Sequence, residues 1–201
     1  MSNSLYIQDW VIIRAGKVIR NSDIIFKAAH DKKLSSFLKD IYKNRKLKYP
    51  KFFKMDTLSK LGYLGSEILF KGEEPAPETA LVFSNASSSL ETDKAYAETM
   101  HDYPSPSLFV YTLPNIMLGE ISIRFKLRSE NIFLISEFFD PSLYLDYSGA
   151  LFQQEKAREI VCGRVDLHNT DYDVFLCRIS PDKGIDFTEE ELKKLYLPTH
   201  E

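Results

Sequence analysis

The chain has only two cysteines in 201 residues, Cys162 and Cys177. That is too few for the disulfide framework of a small secreted domain, and no Cys/His cluster has the spacing of a zinc site. No segment approaches the roughly 18 consecutive apolar residues of a membrane span. The polar opening MSNS lacks the charged and apolar regions of a signal peptide. The expectation is a cytoplasmic protein. No linker-like segment interrupts the chain, so residues 1–201 read as a single domain. There is no Gly-rich phosphate loop of the Walker kind, and no cofactor or metal is expected. A net charge of −3 gives no general electrostatic reason to bind nucleic acid or an anionic membrane.

What is present is an ordinary globular composition weighted toward large side chains: 44% hydrophobic, with 14 Phe and 11 Tyr, enough for a core rich in rings. Leu5 to Arg14 has strand composition and runs into the turn signal Ala15-Gly16, with Val18 and Ile19 on a return strand. Leu34, Phe37, Leu38 and Ile41 recur at helical spacing, and Pro50 marks a break. Met55, Leu58, Leu61, Ile68 and Leu69 share one helical face, with Asp56 near the start and Gly72 just past the end. Gly62 and Gly65 inside that helix imply close packing against a neighbour.

Glu73 to Glu78 reads as a loop, and Thr79 to Phe83 as a continuous apolar strand of the kind buried at a sheet centre. A helix from Glu91 to Met100 follows the polar run Ser84 to Ser89. Ile116 to Leu127 is ambiguous, because Ile121, Ile123, Phe125 and Leu127 alternate as in a strand. Ser142 to Arg158 has helical spacing. Glu159 to His168 and Tyr172 to Ile179 form an antiparallel hairpin linked by Asn169-Thr170-Asp171, which puts Cys162 opposite Cys177. In a reducing compartment those two read as small buried apolar residues.

Three features bear on function. Ser84, Asn85 and Ser87 stand at the carboxyl end of a buried strand, where α/β folds bind ligands, although small polar residues are also good turn and cap residues. Lys43 to Lys54 (KNRKLKYPKFFK) is a local basic stretch, either a solvated helix end and loop or a docking patch for an acidic partner such as an acyl carrier protein. Ile132 to Ile135 is a short apolar run that ends in Ser136-Glu137-Phe138-Phe139-Asp140, two rings between two acids.

Several segments resemble one family. Ser84 to Tyr96 (SNASSSLETDKAY), Pro104 to Phe125 (PSPSLFVYTLPNIMLGEISIRF) and Ile160 to Asp166 (IVCGRVD) are similar to the N-terminal half of β-ketoacyl synthases. Within that family the wording resembles the ketosynthase-like proteins of bacterial aryl polyene and flexirubin-type pigment clusters. The resemblance implies an α/β fold, half of a thiolase-like fold with a mixed central sheet flanked by helices and the C-terminal catalytic half absent. It also implies a helix for Asn115 to Leu127, against the alternation.

Condensing enzymes need a thiolate to accept the acyl chain, set where a strand turns into a helix whose N-terminus keeps it ionised. The resemblance lays Phe138, or Phe139 with a one-residue shift, on that nucleophile position. Phenylalanine cannot form a thioester, so Glu137, Phe138 and Phe139 read as a degenerate nucleophile turn with no catalytic residue. The family's two catalytic histidines belong to motifs that His30, His101, His168 and His200 do not match. The implied function is a non-catalytic subunit beside a full-length ketosynthase, or self-associated, with an acyl carrier protein as a further partner. The family pairs the strand matching Ile132, Phe133, Leu134 and Ile135 across its dimer axis, which makes these four the candidate interface; an ordinary interior strand fits the same composition. The alternative function is an enzyme with different chemistry on the residual site, using Ser84, Asn85, Ser87 or the carboxylates Glu137 and Asp140 as acid and base.

Overall fold

The computed structural model describes residues 4–29 and 32–197; His30 and His200 lie outside them. The chain opens with β1 (Tyr6–Arg14), and Ala15 and Gly16, both at positive φ, turn it into β2 (Lys17–Arg20). A tight turn with both central residues at positive φ matches the twist of the flanking strands. A second such turn, Asn21-Ser22, adds a strand not expected from the sequence, β3 (Asp23–Lys27). Helix α1 (Leu34–Asn44) then buries Phe37, Leu38, Ile41 and Tyr42. After a 3-10 turn at Pro50–Lys54, α2 (Thr57–Phe70) begins on Asp56, whose carboxylate accepts the amide of Ser59. It ends where Lys71 and Gly72 both take positive φ.

Strand β4 (Thr79–Asn85) is buried along its whole length and leads to α3 (Leu90–Thr99), the short α4 (Pro106–Phe109) and α5 (Asn115–Phe125). Strand β5 (Asn131–Ile135) passes through the 136–140 turn into α6 (Pro141–Gln153). The hairpin of β6 (Glu159–His168) and β7 (Asp171–Ser180) follows, then β8 (Ile185–Asp186) and α7 (Glu189–Tyr196).

The eight strands of the described residues form one mixed sheet in the order β3-β2-β1-β7-β6-β4-β5, with β8 paired to the start of β1. β4 runs parallel to both β5 and β6, and the remaining pairs are antiparallel. One face packs on α1, α2 and α5 around Phe37, Leu61, Phe70 and Leu176; the other packs on α6 and α7 around Val82, Tyr144, Phe175 and Leu192. Each fully buried large aliphatic or aromatic side chain contributes about 1.5–3 kcal/mol against exposure, so two such clusters make a complete three-layer core. Both faces of the sheet are therefore covered by the chain's own helices.

Gly62 and Gly65 do what their spacing implied. A Cβ at Gly62 would meet Met117 of α5, and one at Gly65 would meet Leu176 and Val174 of β7. Several expectations change. Helix α2 is buried on every side rather than on one face, because it is wedged between α1, α5 and the sheet. Helix α6 stops at Gln153, five residues early, where Glu155 takes positive φ. The last hairpin has a two-residue turn, since Asp171 already pairs with His168. Strand β4 lies one position in from the sheet edge, and among the described residues β5, with Ile132 to Ile135, is that edge. The 115–125 segment is a helix: Ile121 and Phe125, four apart, are buried, while Ile123 between them is 64% exposed.

Candidate functional site

Because β4, β5 and β6 are mutually parallel, their carboxyl ends gather the Ser84 to Ser89 loop, the 136–140 turn and the end of β6 in one place. The amide of Ser136 donates to the carbonyl of Asn85 at 2.8 Å, continuing the ladder past the strand ends. The two loops are then joined by a pair of β6 residues on which the sequence reading placed no role. Arg164 donates to the main-chain oxygens of Ser136 at 3.0 Å and Glu137 at 3.3 Å, and to Asp166 Oδ2 at 2.6 Å. Asp166 in turn accepts the amides of Ala86 at 3.2 Å and Ser87 at 3.4 Å. Their side chains are 7% and 15% exposed, so the ion pair sits in low dielectric with its remaining donors and acceptors matched by backbone, the condition under which a buried pair holds. The signal was there: an arginine and an aspartate two apart in the otherwise apolar strand EIVCGRVDLH.

The two phenylalanines diverge. Phe138 is 72% exposed. Phe139 turns inward, stacked on Tyr196 of α7 and set edge-on to Phe175. Tyr196 is fixed from its other end by its hydroxyl on Asp173, and the Arg14 guanidinium lies 4.7 Å over its ring. Burial and, next, the Asp173 carboxylate push that hydroxyl up to about 12. A cavity of about 430 Å³ remains between the turn and α7, lined by Glu137, Phe138, Arg164, Lys193 and Tyr196. Among the described residues that line it there is no thiol and no imidazole. Asp140 is engaged as the N-cap of α6, accepting the amide and hydroxyl of Ser142, and Glu137 is exposed.

The polar residues after β4 turn out to be internal. Ser84 is fully buried with its hydroxyl 2.5 Å from that of Tyr144, whose ionisation burial pushes upward. Asn85, also fully buried, closes a turn by donating to the carbonyl of Ser88 and accepting its amide. Ser87 alone of the three is half-buried. His101 and His168 are exposed. Among the described residues no group of three or more His, Cys, Asp or Glu could hold a metal ion, and no helix is long and apolar enough to cross a membrane. Among the described residues strand β5 has β4 as its one neighbour. Phe133 packs toward α5, Ile132 and Leu134 pack toward α6, and Ile135 is 58% exposed.

No protein-family model and no curated protein matches this sequence. Solved structures do. The ketosynthase ApeO in complex with its chain length factor ApeC from Xenorhabdus doucetiae aligns with a TM-score of 0.59 at 13% identity, over 90% of this chain and 80% of that one. The ishigamide ketosynthase/chain length factor aligns at 0.62 and 16%, over 88% of this chain and 62% of that one. A type II polyketide acyl-carrier protein in complex with its ketosynthase gives 0.62 and 10%, over 90% and 63%. The fold is the thiolase-like fold of the ketosynthases. A likeness at these identities concerns the fold, and against the last two this chain spans less than two thirds of the matched length. The 136–140 turn between β5 and α6, on which the sequence resemblance laid the nucleophile position, has no residue at positive φ.

Proposed function

We propose that this chain is a non-catalytic ketosynthase-like subunit of fatty-acid or polyketide assembly of the aryl polyene type, working beside a full-length condensing enzyme or as a homo-oligomer. The observation that carries the reading is the occupied turn: where condensation needs a thiolate, Phe139 is packed against Tyr196 and Phe138 projects to solvent. No nucleophile follows from either residue. The neighbours in fold that are ketosynthase and chain length factor complexes support an assembly role.

The interface in this proposal is the open edge of β5 with Ile132, Phe133, Leu134 and Ile135. A sheet edge presents a row of free main-chain donors and acceptors, and pairing with another strand satisfies them. Lys43 to Lys54 is a second contact region, for an acyl carrier protein or a similarly acidic surface. Its 3-10 turn is pinned by buried Phe52 and by Lys51 Nζ, 2.8 Å from Glu120, so the exposed Lys48, Lys54 and Phe53 are held on a fixed platform. The Glu120 carboxylate in turn holds the Lys51 ammonium above its usual range.

Co-purification with the full-length ketosynthase encoded nearest to it tests the assembly role. Association, or a change in that enzyme's product length, is the expected result, and a stable monomer that does neither overturns it. Malonyl and acyl thioesters test the chemistry, since a covalent adduct on the purified chain contradicts the non-catalytic assignment.

A further inference from the structure

The centre of the β6–β7 hairpin carries a pair that neither the site nor the core requires to be sulfur. Cys162 and Cys177 are register partners in the antiparallel ladder, both fully buried and both free thiols, with their Sγ atoms 3.4 Å apart. Directly opposed residues in such a ladder have Cα atoms about 4.5–5.5 Å apart. That lies within the span of about 4.4–6.8 Å that a disulfide bridges. The bond can therefore close by side-chain rotation with the backbone where it is. At the next rung the two strands lie in very close approach, because a Cβ on Gly163 would stand only 1.9 Å from the Phe175 carbonyl oxygen. Above the pair, α6 supplies Ser148, whose buried hydroxyl has no hydrogen-bond partner.

We infer that Cys162 and Cys177 form a dithiol–disulfide couple whose oxidation locks the β6–β7 hairpin. The co-reactant is a small-molecule disulfide of the glutathione type. One protein thiolate attacks it, forming a mixed disulfide and releasing one small thiol; the second protein thiolate attacks the protein-side sulfur and releases the other. Two S–H bonds are lost and one S–S bond is formed, the protein is oxidised by two electrons, and the small disulfide is reduced to two thiols. Burial, followed by the neighbouring thiol, pushes the Cys162 thiol well above its usual range, so exchange runs through an opening of α6 and is slow in the folded chain. The closed bond joins the strand that carries Arg164 and Asp166 to the strand that carries Asp173 and Phe175; Arg164, Asp173 and Phe175 support the 136–140 turn directly or through Tyr196, and Asp166 holds Arg164 and the amides of Ala86 and Ser87. This inference does not depend on the assembly role proposed above.

The test equilibrates the purified full chain with mixtures of reduced and oxidised glutathione, quenches with acid, and counts thiols under denaturing conditions with mass measurement alongside. The expected product is a monomer lighter by two hydrogens with no free thiol. It should melt at a higher temperature than the reduced chain, and Cys162→Ala and Cys177→Ala variants should show no redox-dependent difference. Native labelling of the thiols should be at least ~100-fold slower than labelling of the unfolded chain, as burial requires. Two free thiols at every glutathione ratio, stable glutathione adducts in place of the internal bond, or an oxidised form that melts lower than the reduced one would each overturn the inference.

Discussion

The ring of Phe139 lies flat on that of Tyr196, with centroids 3.9 Å apart and planes 13° from parallel. One residue comes from the turn after β5 and the other from α7, so the stack ties the 136–140 turn to the last helix of the described chain. Phe139→Ala is expected to cost about 3–4 kcal/mol, through lost burial and a lost aromatic contact. Phe138→Ala, at an exposed position of the same turn, should stay within about 0.5 kcal/mol. Denaturant titration of the two variants side by side separates them, and equal losses would contradict the inward and outward assignment.

Removing the Arg164 side chain leaves the Asp166 carboxylate without its counter-ion and two main-chain oxygens without a donor. Arg164→Ala should destabilise by about 3 kcal/mol or more, the range for breaking one half of a buried pair. Amide exchange at Ala86 and Ser87 should speed up in the same variant, because their acceptor loses its anchor. A loss confined to global stability, with protection at those amides unchanged, would count against the staple.

Gly163 has φ of +146° and no room for a side chain beside the Phe175 carbonyl. Gly163→Ala combines a backbone penalty with a clash against main chain, and a loss above about 4 kcal/mol is expected, enough to unfold a marginal domain. Circular dichroism melting of the variant decides this.

Glu159 gives the pH dependence a sign. Burial raises its carboxyl above the ordinary 4.5, partly opposed by Arg178 and by the Thr79 hydroxyl. A folded-state value above the unfolded one means that the folded chain holds the proton more tightly. The resulting stabilisation is present below pH 4.5 and is lost as pH rises through the folded value. Glu159→Gln removes that loss while keeping an acceptor for Thr79, so the variant should gain on the wild type as pH rises from acid toward neutral. A constant offset at every pH would contradict this assignment.

For the β5 edge, Ile135→Glu places a charge on an exposed edge residue without touching the core. It should weaken association through this edge by tenfold or more, read by sedimentation or by pull-down with the proposed partner ketosynthase, and leave the melting temperature unchanged. Unaltered association would move the interface elsewhere.

Local pattern made most helices and strands legible. The first hairpin, the last hairpin with Cys162 opposite Cys177, and the tight packing at Gly62 and Gly65 could all be read from turn residues and periodicity. The 115–125 helix could not, because Ile123 is an exposed apolar residue that completes a false alternation between two residues one helical turn apart. Resemblance settled what period did not. The staple was hidden for a different reason: Arg164 and Asp166 act on loops many residues away, a relation that exists only after β4, β5 and β6 are laid parallel. Ser84 and Asn85 stand inside because β4 continues two residues beyond its apolar run.

The register of β1 with β7 also sets a timetable. Tyr6 pairs with Ser180 and Arg14 with Asp173, so the inner edge of β1 waits for a strand made far later in the chain. During synthesis the opening hairpin must stay unpaired on that side while almost all the intervening chain emerges. Contacts of such long sequence separation fold slowly and leave an exposed edge open to wrong partners meanwhile. β1 is synthesised well before β7 and is among the last strands to be seated.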